Sequence, residues 1–180
     1  MRIERLRQKH GVRIKWVHFP LHPETPAEGR SLEDLFAGRG MDRAKMHAQM
    51  LARMTAEGLP YGTRTMTYNS RLAQELAVWA DTQPGGDAIH DALFRAYFVD
   101  GVNIGDPEVL VGLAASIGLP ADAAREVIEK RSCKAAVDAD WNKSREYGIS
   151  GVPTFVAGGS GLVGAQPYEA LEQLVSAARA

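Results

Sequence analysis

The sequence predicts an α/β fold in which a small frame of strands and helices is interrupted by a large all-helical insertion. Apolar and polar residues alternate from Val12 and the strand pattern continues to Phe19, as expected for a half-buried β-strand. Residues 31–147 instead repeat their apolar positions at helical spacing. Residues 152–164 return to short strand patterns, and Pro167 then opens a last helix. Both ends of the chain therefore contribute to one frame.

The first part of the frame starts with a helix over residues 1–10. Ile3 and Leu6 lie on one face of this helix, and Gly11 is a suitable stop. The strand pattern that follows ends at Pro20, which cannot continue a helix or a central strand. The first helix has no N-cap residue, so it looks like the second half of a helix that starts earlier.

The second part of the frame is a hairpin followed by a helix. Residues 152–157 predict one strand, residues 158–161 form a glycine-rich turn, and residues 162–164 predict the second strand. The last helix carries Leu171 and Leu174 on its apolar face.

Cap and stop residues divide the insertion into separate helices. Ser31 is followed by acidic residues in the first turn, and Asp106 is followed by Pro107, which suits the first helical position. The predicted helices start at Ser31, span 42–57, start at Asn69 or Ser70, and span 87–99, 106–118 and 122–147, with a break near Arg131 in the last.

The composition excludes several classes of protein. A formal net charge of -1 over 180 residues gives no basic excess that would favour nucleic acid. No stretch approaches the roughly 20 apolar residues needed to cross a membrane, and the first residues lack the apolar core of a signal peptide. Cys133 is the single cysteine, so an intramolecular disulfide is excluded. We therefore expect a cytoplasmic protein without nucleic-acid or membrane partners.

The remaining candidate residues have simple structural interpretations. Cys133 lies between basic residues that could lower its pKa, but most free cysteines are small core residues. His18 and His22 lack the helical setting and the third ligand that a metal site needs, so no metal is predicted. Four methionines at helical spacing favour a core position, and a flexible peptide-binding surface is the alternative; they are Met41, Met46, Met50 and Met54.

Four segments, in order along the chain, resemble the DsbA family, in particular its branch of FrnE-like proteins and 2-hydroxychromene-2-carboxylate isomerases. The segments are 16–23, with Trp16-Val17-His18-Phe19-Pro20; 69–73, with Asn69-Ser70; 93–106, with Asn103-Ile104-Gly105-Asp106; and 148–167, with Val152-Pro153-Thr154-Phe155. The resemblance implies a thioredoxin-like fold with a large helical insertion. Residues 1–26 and 132–180 would form the thioredoxin-like domain, and residues 27–131 the insertion.

The resemblance also implies where substrate binds. Val152–Pro153 would be a cis peptide bond, and the backbone of Val152 would pair with an extended peptide or with glutathione, as an added strand does. Thr154 follows in the same loop. Asn69 would contribute through the isomerase resemblance, and its alternative role is a helix N-cap.

The chain lacks the two-cysteine motif of that family. The motif stands at the start of the first helix, where the helix N-terminus stabilises a thiolate. By this resemblance the catalytic residues, a Cys-x-x-Cys pair, would lie before Met1, together with an interior strand. We expect about 15–20 further residues there, from strand and half-helix lengths.

Three functions remain open at this point. The first is a DsbA-like thiol–disulfide oxidoreductase acting on protein thiols or disulfides. The second is a glutathione-dependent isomerase or transferase with a serine in place of the cysteine, acting on a glutathione-linked small molecule. The third is a non-catalytic thioredoxin-fold binding module. The resemblance also makes a homodimer an expectation.

Overall fold

A computed structural model of the chain describes residues 2–38 and 40–179. In these ranges the chain forms helices and two small sheets. The helices are α1 (Arg2–His10), α2 (Leu32–Phe36), α3 (Arg43–Ala56), α4 (Arg71–Ala80), α5 (Ala88–Phe98), α6 (Pro107–Ser116), α7 (Ala121–Lys130), α8 (Lys134–Glu146) and α9 (Tyr168–Ala177). The strands are β1 (Arg30–Ser31), β2 (Met66–Thr67), β3 (Thr154–Ala157) and β4 (Ser160–Val163).

The chain divides into two compact units. The frame unit consists of Met1–Leu21 and Ala139–Ala180, and the insertion unit consists of His22–Asp138. No helix in the described ranges is long and apolar enough to cross a membrane.

The insertion unit has a core of its own. Helices α4 to α7 bury their apolar faces against one another, and Leu76, Ile89 and Leu110 are completely buried there. Such burial contributes roughly 1.5–3 kcal/mol for each large aliphatic side chain. The predicted cap at Asp106 is confirmed, because its carboxylate accepts hydrogen bonds from the N–H groups of Glu108 and Val109. The short β1–β2 pair in this unit was not predicted.

The predicted break in the helical stretch 122–147 is also confirmed. Arg131 has φ 52°, a left-handed conformation that ends α7 before α8 begins. Its carbonyl then accepts a hydrogen bond from the N–H of Lys134.

The frame unit has a smaller core between α1, α9 and one face of the β3–β4 hairpin. Leu6, Leu171 and Val175 are buried, and Phe155 and Leu162 pack against them from the hairpin. These two hairpin residues are cross-strand partners, so they lie on the same face. Val156 and Val163 lie on the opposite face and are 49% and 59% exposed.

The predicted strand over residues 12–19 is wrong. Residues 11–20 have no regular secondary structure, and Ile14, Trp16 and Val17 are 38%, 47% and 38% exposed. A strand needs a neighbour that accepts and donates backbone hydrogen bonds. No residue in 2–38 or 40–179 makes a backbone–backbone hydrogen bond with residues 12–15. The alternation is therefore present in the sequence without the ladder that would make it a strand.

The interpretation of the four methionines as core residues is also wrong, because none of them belongs to either core. Met41 and Met50 are each 42% exposed, and no residue of α3 is buried. Met46 and Met54 are half-buried.

A carboxylate joins helices α1 and α9 of the frame unit. Oε1 of Glu172 on α9 lies 2.8 Å from Nζ of Lys9 and 2.6 Å from Nε2 of His10, both on α1. The Tyr168 hydroxyl donates to the same oxygen at 3.1 Å. The hydrogen bond from Lys9, followed by that from His10, lowers the pKa of Glu172 from 4.5 to about 2.

The Glu172→Gln variant tests this junction by its pH dependence. A lowered pKa in the folded state means that the carboxylate stabilises the fold above pH 4.5 and loses this contribution as the pH falls toward 2. We therefore expect the urea midpoint of the variant to lie below that of the wild type at neutral pH. The two midpoints should converge as the pH falls through this window. A difference that stays constant with pH would contradict the assignment.

Candidate functional site

The loop before β3 contains a cis peptide bond between Val152 and Pro153. This confirms the isomer that the family resemblance implied. Val152 is 51% exposed and Pro153 is also exposed, so both face solvent. The loop therefore presents its bend at the surface of the frame unit.

Two hydrogen bonds hold this loop in position. The N–H of Gly164 donates to the Pro153 carbonyl at 2.7 Å, which extends the pairing of the hairpin by one residue pair. The Thr154 hydroxyl donates to the Gly151 carbonyl at 2.7 Å. The side chain of Thr154 thus fixes the turn, and its contribution to any site is to position Val152 and Pro153.

The backbone of Val152 has unused hydrogen-bonding capacity. Neither its N–H nor its C=O forms a hydrogen bond with another residue of the described ranges. An exposed amide of this kind is normally hydrated and can exchange water for the backbone of a ligand. Val152 can therefore offer one donor and one acceptor to an extended peptide.

The unpaired backbone groups continue from Val152 along β3. This strand pairs with β4 on one side only, in the two-stranded sheet of the described residues. Because the Gly164 N–H donates to the Pro153 carbonyl, alternation along the strand directs the backbone groups of Thr154 and Val156 to the other side. The Val152 backbone and the unpaired side of β3 therefore form one open edge of the frame unit.

A groove lies elsewhere on the frame unit. Residues 11–15 and Arg179 line it. Nη2 of Arg179 donates a hydrogen bond to the His10 carbonyl at 2.5 Å. The groove thus follows the segment that was expected to be a strand.

Asn69 lies in the insertion unit, and both polar atoms of its side chain make hydrogen bonds within that unit. Its amide nitrogen donates to the carbonyls of Thr25 at 2.8 Å and Pro23 at 3.2 Å. Its amide oxygen accepts from the N–H of Arg71 at 2.9 Å, while Ser70, at the N-cap position, makes no capping hydrogen bond. Asn69 therefore fixes the loop and the start of α4. Its role in substrate binding stays a prediction.

Cys133 does not have the surroundings of a reactive thiol. It is half-buried in the insertion unit, and this burial raises the pKa of the thiol, as does the nearby Glu75 carboxylate. The flanking Arg131, which could have lowered that pKa, is instead paired with Glu75. The thiol is therefore mainly protonated at neutral pH, which suits a packing role.

The sequence did not indicate the buried ion cluster around Glu75. This side chain is completely buried, and Arg131 donates to both of its oxygens at 2.7 Å. Arg71 donates to Oε1 at 2.6 Å and also pairs with Asp138 at 2.7 Å. Burial raises the pKa of Glu75, but the hydrogen bonds from Arg131 and Arg71 outweigh it and hold the pKa below 4.5.

The histidines of the loop after residue 17 do not form a metal site. The backbone N–H of His18 donates to Asp140 Oδ2 at 3.0 Å, and Nδ1 of His22 lies 3.6 Å from Glu24 Oε1. Across the described residues, no group of three His, Cys, Asp or Glu side chains is arranged to hold a metal ion.

Comparisons with known proteins identify the family and the fold. A family model described as DSBA-like thioredoxin domain matches residues 1–176. A solved structure described as a probable DsbA oxidoreductase from Streptomyces coelicolor is 30% identical, with a TM-score of 0.88 over 99% of this chain and 82% of that one. A 2-hydroxychromene-2-carboxylate isomerase structure is 18% identical, with a TM-score of 0.69 over 98% of this chain and 84% of that one, and so shares the fold.

The curated relative is matched over a shorter stretch. The uncharacterized protein YwbO of Bacillus subtilis is 29% identical over 92 residues, which is 51% of this chain. The match spans 46% of the length of that relative.

Proposed function

Because this chain belongs to the DSBA-like thioredoxin domain family, we propose that it is part of a thiol–disulfide oxidoreductase and binds the substrate of that enzyme. The observation that carries the proposal is the exposed cis Val152–Pro153 loop with its unused backbone donor and acceptor. The reacting cysteines would belong to a segment that precedes Met1, because Cys133 is the single cysteine and its pKa is raised.

The proposed reaction exchanges two electrons between two pairs of sulfur atoms. A thiolate of the enzyme attacks one sulfur of a substrate disulfide, the substrate S–S bond breaks, and the other sulfur leaves as a thiolate. The second enzyme thiolate then attacks the mixed disulfide and releases the first substrate sulfur. The substrate gains two electrons and the enzyme dithiol becomes a disulfide. The same steps in reverse oxidise a substrate dithiol.

This chain would contribute to the reaction by positioning the substrate. A sulfur–sulfur displacement needs its three sulfur atoms close to a line, so a substrate held by its backbone reacts faster than a free one. Val152 offers the pairing groups, and the bonds from Gly164 and Thr154 keep the loop rigid. Backbone pairing is also independent of the substrate side chains, which suits a broad range of protein substrates.

A glutathione-dependent isomerase is the second candidate. The single cysteine favours it, because that reaction needs no cysteine pair in the enzyme. Glutathione is an extended tripeptide-like thiol, and the Val152 backbone could pair with it in the same way.

The intact mass of the protein from the cells that make it separates the candidates. We expect a mass about 2 kDa above 19.6 kDa and three thiols that alkylate after reduction, if strand and half-helix lengths give the size of the segment. The larger mass with one thiol would favour the glutathione-dependent candidate. A mass of 19.6 kDa with one thiol and no reduction of insulin disulfides would overturn the oxidoreductase proposal.

The Val152→Pro variant tests the loop directly. Proline removes the N–H donor, so we expect kcat/KM for insulin disulfide reduction to fall about tenfold, the equivalent of one hydrogen bond. Val152→Ala keeps the N–H and is the matched control, with little change expected. Equal losses in both variants would mean that the side chain is what matters, and no loss in either would exclude the pairing. Circular dichroism spectra should be the same for all three proteins.

A further inference from the structure

Helix α3 exposes an apolar face that its own unit covers only in part, since Met46 and Met54 are half-buried. It is 14 residues long, and none of its residues is buried. Met50 and Leu51 are each 42% exposed. A helix of this length is marginal in water and is usually held by burial of its apolar face. The exposed face of α3 therefore has a reason to be covered by something else.

All charged side chains of α3 are cations. Arg43, Lys45 and Arg53 carry positive charge, and α3 contains no acidic residue. Two of the cations lie in the first turn, where the helix dipole favours anions. The stability of the helix therefore does not explain these charges.

Two of these cations lie on the methionine face. Residues three, four and seven apart share one side of a helix, which places Arg43 beside Met46 and Met50, and Arg53 beside Met50. The Lys45 position lies on the other side. Arg43 approaches Glu33 at only 4.0 Å, and that glutamate side chain is 87% exposed. Arg53 has no ion pair with any carboxylate of the described residues.

We propose that the face formed by Arg43, Met46, Met50, Arg53 and Met54 is a docking surface for an acidic amphipathic segment of another protein. Methionine side chains adapt to varied apolar partners, and this flexibility is typical of peptide-binding surfaces. The two arginines add paired recognition of carboxylates. This inference goes beyond the proposed redox function and does not depend on it.

The position of the arginines also argues against two other occupants. An anionic membrane would require Arg43, within the apolar stripe, to enter the hydrophobic boundary, and the face carries none of the large aromatic residues typical of such helices. A second copy that used the same face would bring like charges together, because isologous contact pairs each patch with itself.

Fluorescence anisotropy with a synthetic peptide tests the proposal on the complete protein. The probe is a labelled peptide of about 18 residues, with leucine at helical spacing and glutamate elsewhere, long enough to form a helix. We expect saturable binding that weakens about tenfold in the Arg43→Glu/Arg53→Glu variant, because its ion pairs become repulsive. Lys45→Glu removes an equal charge from the other side and should change affinity less than about twofold. Met50→Ser should also weaken binding, because it removes apolar contact.

Several outcomes would overturn the proposal. The first is an absence of peptide binding, and the second is an equal loss of affinity for Lys45→Glu and the double variant. A third is sedimentation with phosphatidylglycerol vesicles that the double variant abolishes, which would assign the face to a membrane. A fourth is a dimer in light scattering that the double variant dissociates. Unfolding curves of the variants should match the wild type, since none of these side chains is buried.

Discussion

The Glu75→Ala variant should lose about 3 kcal/mol of unfolding free energy, the lower end expected for breaking a buried ion pair. The reason is the complete burial of Glu75 together with its bonds to Arg71 and Arg131. Removal of the carboxylate takes one ion-pair partner from the Arg71 guanidinium, which is only 14% exposed, while its pair with Asp138 stays. The Arg131 side chain is 41% exposed and can recover part of its hydration, so we expect the loss at the lower end.

Urea denaturation of Glu75→Ala and a surface control measures this effect. Glu108→Ala removes a carboxylate that also pairs with an arginine, Arg125, but both side chains are largely exposed. Exposed pairs contribute little, so the midpoint of this control should shift much less. Comparable shifts in both variants would show that burial of Glu75 has no special effect.

The pH dependence of the Glu75 contribution has a definite sign. Its pKa lies below 4.5 in the folded state, so the carboxylate stabilises the fold above that pH. This contribution is lost as the pH falls from 4.5 through the folded-state pKa. The difference between the wild type and Glu75→Ala should therefore shrink in acid.

The second large effect is expected for Gly86→Ala. A Cβ atom at this position would lie 1.8 Å from the Ala80 carbonyl oxygen and 2.6 Å from its carbon. Both are backbone atoms, so no side chain can rotate away, and the turn between α4 and α5 must move. Overpacking of this kind costs about 3 kcal/mol.

Gly112→Ala is the matched control for that substitution. Gly112 lies inside α6, and an added Cβ would meet no atom within 4 Å. Alanine is the better helix former, so we expect a gain of about 0.5–1 kcal/mol. Thermal unfolding of both variants gives the comparison, and a stable Gly86→Ala protein would mean that the turn can relax.

Local signals predicted the helices well. The predicted caps Ser31 and Asp106 accept hydrogen bonds from the N–H groups that a cap should satisfy, and Asp42, at the predicted start of α3, does the same. Such contacts join residues two or three positions apart, so a single sequence contains all the information that they need. The cis bond before Pro153 required more, because only the family resemblance implied it.

Long-range relations explain what the sequence left out. The alternation at residues 12–19 is a strand pattern, but a ladder depends on a neighbour that the pattern does not specify. The exposure of Met50 depends on what packs against α3, and the helical spacing is the same in either case. Glu75 lies four residues after Arg71, as surface ion pairs do, but its other partner, Arg131, lies 56 residues further along the chain, just after α7.

The two cores differ in when their parts can meet. The core of the insertion unit forms from the consecutive helices α4 to α7, which all lie within residues 71–130. The core of the frame unit must bring Leu6 to Leu171 and Val175, near opposite ends of the chain. Loop closure of that length slows folding. We therefore expect the backbone N–H groups of the insertion helices to become protected first in pulse-labelled hydrogen exchange. During synthesis, the frame unit should assemble only after α9 has left the ribosome.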